Sequence, residues 1–319
     1  MKKIVVLGSL NIDMVMTAQR LPVIGETVHG GHIQYMMGGK GLNQAVAASR
    51  MDISTSIIGC VGDDSFGEQI KTGLAKEKLD TSSIIRKEGN FTGTATVFIT
   101  NNDNAIMVIA GANDICDISV VDEHIDLIKE ADVLLTQLEI PMETVEYALQ
   151  KAKKFGVKTI LNPAPYKELA PRLFDYIDYL TPNETEFEGL IGKKFHSSEE
   201  LEQKMFEWSN KHNVHLIVTR GSTGSSYIED GKVFTVPSIQ VNVVDTTGAG
   251  DTFNGILAYG IAEGKNLRDA VRMAGIGVSL SVTALGAQSG MPSIDELEAY
   301  MKRRVSYVKD DFKFRYRYR

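Results

Sequence analysis

The run Asp245-Thr246-Thr247-Gly248-Ala249-Gly250-Asp251 places small residues and a carboxylate between a β-branched stretch, 241–244, and a helix-like stretch, 252–262. Small residues at a helix start leave backbone N–H groups uncovered, and the helix dipole adds partial positive charge, so an anion fits there. A carboxylate at the same point has two readings. It caps the helix, as Asp often does, or it takes the proton from an attacking hydroxyl, work worth ~10²–10⁴ in rate.

Four other segments carry polar groups suited to ligands. Gly38-Gly39-Lys40-Gly41-Leu42-Asn43 opens a second helix. It lacks the four-residue spacer of a P-loop and the Ser or Thr after Lys, and no Gly-x-Gly-x-x-Gly follows a strand, so neither common nucleotide fingerprint is present. What remains is a tight turn whose Lys and Asn bond hydroxyls or a developing phosphate, or a plain flexible loop. Asn11 and Asp13 follow the first strand at its carboxyl end, where open α/β sheets bind ligands. They suit vicinal hydroxyls, or they close the strand as an Asx turn. Asn183 and Glu186, in Thr181-Pro182-Asn183-Glu184-Thr185-Glu186, have the spacing of a helix capping box. Thr219-Arg220-Gly221-Ser222-Thr223-Gly224 is a Gly-rich turn after a strand.

The elements that must position these groups follow from hydrophobic periodicity. Strand-like runs at 4–7, 55–58, 133–135, 159–161 and 216–218 alternate with helix-period stretches at 43–51, 66–79, 142–155, 201–212 and 267–284. This alternation predicts an α/β fold, a mostly parallel sheet flanked by helices on both faces. Pro141 suits the first turn of its helix and Gly156 a stop. Residues 13–36 and 92–110 break the alternation; the latter reads as strand, polar turn at 101–104, strand. These pieces predict a small β-sheet lid beside a core domain of 1–12, 37–91 and 111–305. The tail, 306–319, alternates aromatic and basic residues from Phe312 to Arg319; it reads as an anion-binding or strand-adding tail, or as a frayed, disordered terminus.

A chain of 319 residues suffices for one large α/β domain or two modest ones. Its net charge of −7 argues against nucleic acid or anionic membrane as a partner. No stretch approaches the ~20 apolar residues of a membrane span, and the few apolar residues after Met1-Lys2-Lys3 are too short for a signal-peptide core. A cytoplasmic protein is expected. Cys60 and Cys116 have no Cys or His neighbours at metal spacing and are expected to be reduced, buried thiols.

Taken together and in order, these segments resemble the ribokinase family of sugar kinases, also called PfkB carbohydrate kinases. The resemblance runs from Lys3 to about Pro292 and rests on two signatures, 38–67 and 245–251. Asn11-Ile12-Asp13, Gly25-Glu26-Thr27-Val28, Gln137-Leu138-Glu139, Asn162-Pro163-Ala164-Pro165 and Gly286-Ala287-Gln288 extend it.

The resemblance implies an ATP-dependent phosphorylation of D-ribose at O5, giving ribose 5-phosphate and ADP. Kinases for 2-deoxyribose, another sugar or a nucleoside are the alternatives within the class, and a non-catalytic sugar-binding regulator is the alternative outside it. On this resemblance Asp251 is the base, and Gly248, Ala249 and Gly250 form the anion hole. Asn11, Asp13, Gly39, Lys40, Gly41, Leu42, Asn43 and Glu139 hold the sugar. Asn183 and Glu186 act near Mg²⁺ and the phosphates. Thr219, Arg220, Gly221, Ser222, Thr223, Gly224, Gly250 and Gly275 line the ATP site. Asp245, Thr247, Ser281, Ala284, Gly286 and Gly290 match positions around a monovalent cation, usually K⁺, although the family often carries Ser where Gly290 stands. The resemblance also implies a homodimer formed through the lid.

Overall fold

A computed structural model describes residues 1–100 and 104–308. Among them the strands are β1 (Lys3–Leu7), β2 (Asn11–Thr17), β3 (Ile33–Gly38), β4 (Ser54–Gly62), β5 (Leu79–Asp80), β6 (Ile84–Lys87) and β7 (Gly93–Ile99). They continue with β8 (Asn104–Ile109), β9 (Val133–Thr136), β10 (Lys158–Leu161), β11 (Tyr179–Leu180), β12 (His215–Thr219), β13 (Ser225–Glu229) and β14 (Lys232–Val236). The helices are α1 (Lys40–Ser49), α2 (Ser65–Leu74), α3 (Ile118–Glu123), α4 (Ile125–Lys129) and α5 (Met142–Phe155). After them come α6 (Glu184–Ile191), α7 (Ser198–Ser209), α8 (Ala249–Ala262), α9 (Leu267–Ser281) and α10 (Ile294–Val308).

Ile4-Val5-Val6-Leu7 has no polar face, so its strand must be covered on both sides, the situation of a parallel sheet. β1 accordingly lies between β4 and β9, parallel to both. The sheet runs β14-β13-β12-β11-β10-β9-β1-β4-β5, with β6 also on β4. Pairing is parallel from β5 and β6 through β12 and antiparallel at β12-β13-β14. Strand alternation splits β1 between two layers. Val5 and Leu7 pack with Val120, Ile128, Val145 and Trp208 of α3, α4, α5 and α7. Ile4 and Val6 pack with Leu42, Val46 and Ala258 of α1 and α8 on the other face. The α/β expectation holds, helices on both faces included.

A second sheet, ordered β3-β2-β7-β8, stands apart from the first. It is built from the two segments that interrupt the βα alternation. Of the polar turn expected there, 101–103 lie outside the described residues, and Asn104 begins β8. Among the described residues no helix is long and apolar enough to cross a membrane.

Several boundaries move. The helix expected over 66–79 stops at Leu74, because Leu79 leaves to pair with Thr55 at the sheet edge. Pro141 is the N-cap of α5, one residue before its first turn, and Gly156 ends that helix in the left-handed conformation at φ 77°. The β-branched stretch 241–244 is not a strand. Val243 and Val244 are each 56% exposed, and the N–H groups of Val244 and Asp245 bond the Val282 carbonyl at the end of α9 (2.8 and 3.2 Å), so no neighbouring strand is there to pair. α10 continues through Val308, into the segment assigned to the tail; 309–319 lie outside the described residues.

Close approach of α1 to the end of β1 depends on Gly41. A Cβ there would lie 2.5 Å from backbone atoms of Gly8 and Ser9. Gly→Ala inside a helix normally gains about 1 kcal/mol, but overpacking against fixed backbone costs about 1–3 kcal/mol. We therefore expect Gly41→Ala to lower the urea midpoint of unfolding despite its better helix propensity; an unchanged or raised midpoint would show that α1 can step back freely.

Candidate active site

The groups singled out by sequence gather along the carboxyl edge of the large sheet, where α/β proteins bind ligands. Gln137 and Glu139 follow β9, Asn162 follows β10, Thr181 and Asn183 follow β11, and Gly221 follows β12. A cleft of about 410 Å³ runs along this edge, lined by Lys40, Asn162, Thr181, Asn183, Glu186, Thr219, Gly221, Gly248, Ala249, Gly250 and Asp251, among others. A smaller cavity of about 130 Å³ continues it, lined by Gly224, Ser238, Gly275 and Ser279 and sharing Thr219, Gly221, Ala249 and Gly250.

α8 starts in the cleft. Gly248 is its N-cap in the left-handed conformation at φ 75° and makes no side-chain cap. Asp251, three residues on and 6% exposed, does not cap the helix either. Its Oδ2 accepts from Asn43 Nδ2 and its Oδ1 from Gln44 Nε2, each at 3.0 Å, both donors on α1. Burial pushes this carboxyl up, against the pull of Lys40 and of the two amide donors. Two of about four lone-pair positions stay free for a hydroxyl. The capping reading of Asp251 therefore fails.

The sugar-side residues converge as well. Gly38 ends β3 and Gly39, at φ 90°, caps α1, so the segment is an ordered strand-to-helix corner and not a flexible loop. Glu139 Oε2 accepts from Ser9 Oγ (2.5 Å) and from the Lys40 N–H (3.0 Å), while Gly41 N–H donates to Ser9 Oγ (3.2 Å). Lys40 is held above its ordinary value, chiefly by the charge of Asp251 and then by Glu139, Glu186 and Asp13. Asp13 is pushed up to about 7 by burial first, then by Glu139 and Asp251, with Lys40 opposing. Asn11 sits within β2, which excludes an Asx turn. Its Oδ1 accepts from Asn113 Nδ2 at 2.8 Å. Leu42 is fully buried in the layer beneath β1, so its side chain serves the core and only its backbone can face a ligand.

Other residues divide between the two readings left open by sequence. Asn183 and Glu186 do form a reciprocal capping box at α6, both bonds at 2.8 Å, yet both line the cleft. Burial raises the Glu186 carboxyl. Arg220 does not present its side chain to the cleft. It is 4% exposed and committed to Glu184, Glu202, Ser198 and Ser226, because a buried guanidinium needs its donors satisfied. Gly221, Ser222 and Thr223 form a short 3₁₀ turn, and of these Gly221 alone lines the cleft.

On the far side of Gly248, Asp245 gathers the loop assigned to a cation. Its Oδ1 accepts from the N–H and hydroxyl of Thr247 (2.9 and 2.7 Å) and its Oδ2 from the Gly286 N–H (2.8 Å). Burial alone would raise this carboxyl, but the donors outweigh it and hold it below the usual range. Ala284 N–H approaches the Ser281 carbonyl at 3.5 Å. A Cβ on Gly290 would lie 2.1 Å from that same carbonyl. The departure at Gly290 thus has a steric reason in this chain.

Sequence reasoning does not reach Gln44, Gln137, Asn162, Thr181, Asn254, Asn113 or Gln288 as site residues. Gln288 Nε2 donates to Asn43 Oδ1 at 2.9 Å; Asn162, Thr181 and Asn254 line the cleft, while Gln44 bonds Asp251, Gln137 bonds Gln44 and Asn113 bonds Asn11. The signal available was position: Gln44 adjoins Asn43, and Asn162 and Thr181 immediately follow strands.

A buried carboxylate at the positive end of a helix, between a cluster of charged side chains that includes Asp13 of the small sheet and a Gly-lined cleft, defines an enzyme that activates a hydroxyl toward an anionic group. The model of the pfkB family carbohydrate kinases matches residues 1–294, and the chain belongs to that family. A ribokinase of Bacillus subtilis is 38% identical over 298 residues, covering 93% of this chain and 99% of the relative. A deoxyribokinase of Salmonella typhi is 32% identical over 300 residues, covering 93% and 98%. The structure of Arabidopsis thaliana ribokinase complexed with ribose and ATP superposes with a TM-score of 0.88 at 31% identity, covering 94% of this chain and 98% of that one.

The Asp13 environment has a consequence for stability. Its folded pKa of about 7 exceeds the ordinary 3.8, so the folded state binds more protons, and the contribution of Asp13 to stability falls as pH rises between those values. Asp13→Asn should melt above the parent chain at pH 8, with the difference shrinking as pH is lowered toward 4. A variant that melts lower at every pH would mean that Asp13 supports the fold.

Proposed function

We propose that this chain transfers the γ-phosphoryl group of ATP to O5 of D-ribose, giving ribose 5-phosphate and ADP, in the cytoplasm. The observation that carries the reading is Asp251: buried, bonded by α1 rather than by its own helix, and facing one cleft with Lys40 and the α8 N-terminus. Similarity to ribokinases over nearly the whole chain supports the acceptor.

Asp251 takes the hydroxyl proton as O5 attacks the γ-phosphorus in line; the new O–P bond forms while the bond to the β-phosphate oxygen breaks and ADP leaves. Such a transfer leaves the protein positioning and charge stabilisation to supply. Asn11, Asp13, Gly39, Lys40, Asn43 and Glu139 hold the sugar. Gly248 and Gly250 offer N–H groups to the transferring phosphoryl, the Ala249 N–H, bonded here to the Thr246 carbonyl at 3.1 Å, joining them on release, and Thr219, Gly221, Gly224 and Gly275 border the nucleotide. A Mg²⁺ that accompanies a nucleotide is held by phosphate oxygens with one or two carboxylates. Glu186, with Asn183 beside it, is placed for that, and the ion would neutralise charge on the phosphates. The carbonyl-rich loop from Ser281 to Gly290, gathered by Asp245, fits K⁺, which takes backbone oxygens.

The small sheet closes over the sugar and excludes water, and it pairs with that of a second copy. Ile106, Met107, Val108 and Ile109 of β8 are 48–62% exposed, more apolar surface than an isolated edge strand tolerates well. Free, buried Cys60 and Cys116 fit a reducing compartment.

ADP release measured on ribose, 2-deoxyribose, fructose and adenosine, with and without K⁺, should be greatest on ribose with K⁺. Preference for 2-deoxyribose would move the reading to the relative's chemistry, and no turnover on any acceptor would favour a sugar-binding regulator. Asp251→Asn should cut kcat by about 10²–10⁴ with little change in sugar affinity; near-normal turnover would remove Asp251 as the base. Light scattering should give a dimer, and Ile106→Asp or Met107→Asp a monomer, whereas dimers in both variants would place the contact elsewhere.

A further inference from the structure

A carboxylate only accepts hydrogen bonds, so the Gln44 amide must turn its Nε2 toward Asp251. One Nε2 hydrogen goes to Asp251 Oδ1 at 3.0 Å and the other to Asn162 Oδ1 at 3.1 Å. Gln44 Oε1 then points away and accepts from Gln137 Nε2 at 2.7 Å. With its oxygen committed, Asn162 donates Nδ2 to the Thr181 carbonyl (2.9 Å). Thr181 Oγ1 donates to Asn254 Oδ1 (2.6 Å), and Asn254 Nδ2 donates to the Gly250 carbonyl (2.9 Å). The path leaves Asp251 and returns to the residue before it. Its four intermediate side chains are all at most 6% exposed.

Beyond this path, Gln137 Oε1 is buried without a hydrogen-bond partner. It lies against Gly8, where a Cβ would come within 2.1 Å of it. A buried unpaired oxygen destabilises, and an apolar side chain of the same shape would remove it. The oxygen therefore gives no reason for an amide at 137. Presenting Nε2 to Gln44 does.

We propose that Gln44 is a positioning residue of the reaction: it orients the Asp251 carboxylate and, through Asn162, Thr181 and Asn254, couples that orientation to the Gly250 peptide of the anion hole, with Gln137 setting the sense of the Gln44 amide. The inference rests on Asp251 being the base. Gln44 takes no part in holding the sugar. Base and anion hole are then aligned before either substrate arrives, a preorganised arrangement of the kind that lowers barriers most.

The charged groups facing Asp251 are Lys40 from α1, Glu139 after β9, Asp13 from β2 and Glu186 from α6. Of these Lys40 alone favours the ionised carboxylate, and the Gln44 and Asn43 donors supply the remaining stabilisation. Removing the Gln44 donor must raise the Asp251 pKa further, so the acid limb of the kcat–pH profile moves up.

The test compares Gln44→Met, Gln137→Met and Asp251→Asn in the full chain with D-ribose and ATP from pH 5 to 9. Methionine keeps length and packing but offers no N–H donor. For Gln44→Met, kcat should fall about 10- to 100-fold, the loss of one hydrogen bond to a charged group. The sugar KM should stay within about threefold, and the acid limb should rise by roughly one pH unit. Gln137→Met should move the limb the same way by less, with a lower melting temperature because Gln44 Oε1 loses its partner; it carries the test should Gln44→Met not fold. An unmoved limb and near-parental kcat in the glutamine variants, with Asp251→Asn inactive, would overturn the positioning role alone. A change in sugar KM with kcat and limb unmoved would overturn it too, by making Gln44 a binding residue. Near-normal turnover by Asp251→Asn would instead overturn the base on which the proposal rests.

Discussion

Burying a carboxylate is unfavourable unless donors and a counter-charge replace water, and the centre of this molecule is organised around meeting that demand for Asp251. α1 supplies Lys40, Asn43 and Gln44, and α8 adds the partial charge of its own N-terminus. The amide donors and the counter-charge cannot come from residues near Asp251 in sequence. The helix pair α1 and α8 must pack face to face, which in turn requires small residues between them; Gly255 is one, since a Cβ there would lie 2.6 Å from Ala47 Cβ and from the Gln44 carbonyl.

The same pocket holds more negative charge than it neutralises. Asp13, Glu139 and Asp251 surround Lys40, and the imbalance appears in the raised Asp13 and raised Lys40. An uncharged polyhydroxy compound suits such a place better than a sugar phosphate, whose added charge would be repelled. The transferring phosphoryl must then be stabilised from the opposite side, by the α8 N–H groups and the ions that accompany a nucleotide. The division of the cleft into a carboxylate-lined part and a Gly-lined part follows from charge.

Much of this was legible in the chain. Strands buried on both faces, such as Ile4 to Leu7, announce themselves as apolar runs, and short signatures such as Asp245 to Asp251 mark a strained helix entry whatever lies around it. The reciprocal cap of Asn183 and Glu186 is local and was readable from spacing. What stayed hidden depends on contacts between distant segments. The stretch 241–244 has strand composition but no neighbour to pair with; Arg220 sits in a ligand-like turn but is drawn inward by Glu184 and Glu202; Leu42 belongs to a binding segment yet faces the core. Gln44 and Asn162 are ordinary polar residues until folding brings them within 3.1 Å of each other. Spacing along a chain cannot encode a bond across 118 positions.

Asn113 joins the two sheets in a further way. Its oxygen accepts from the Leu10 N–H, and its Nδ2 lies within bonding distance of the Leu10 carbonyl, the Ala110 carbonyl and Asn11 Oδ1. A Cβ on Gly93 would fall 2.2 Å from that same nitrogen. Three of the four places where the chain passes between the sheets therefore meet at one amide. The small sheet is thereby fastened to the large one through a side chain only 1% exposed, so these bonds are made away from water. Asn11, whose side-chain oxygen accepts from that amide, is held in place by the same junction. A hydroxyl bound at Asn11 would meet a group already oriented by the joint between the two sheets.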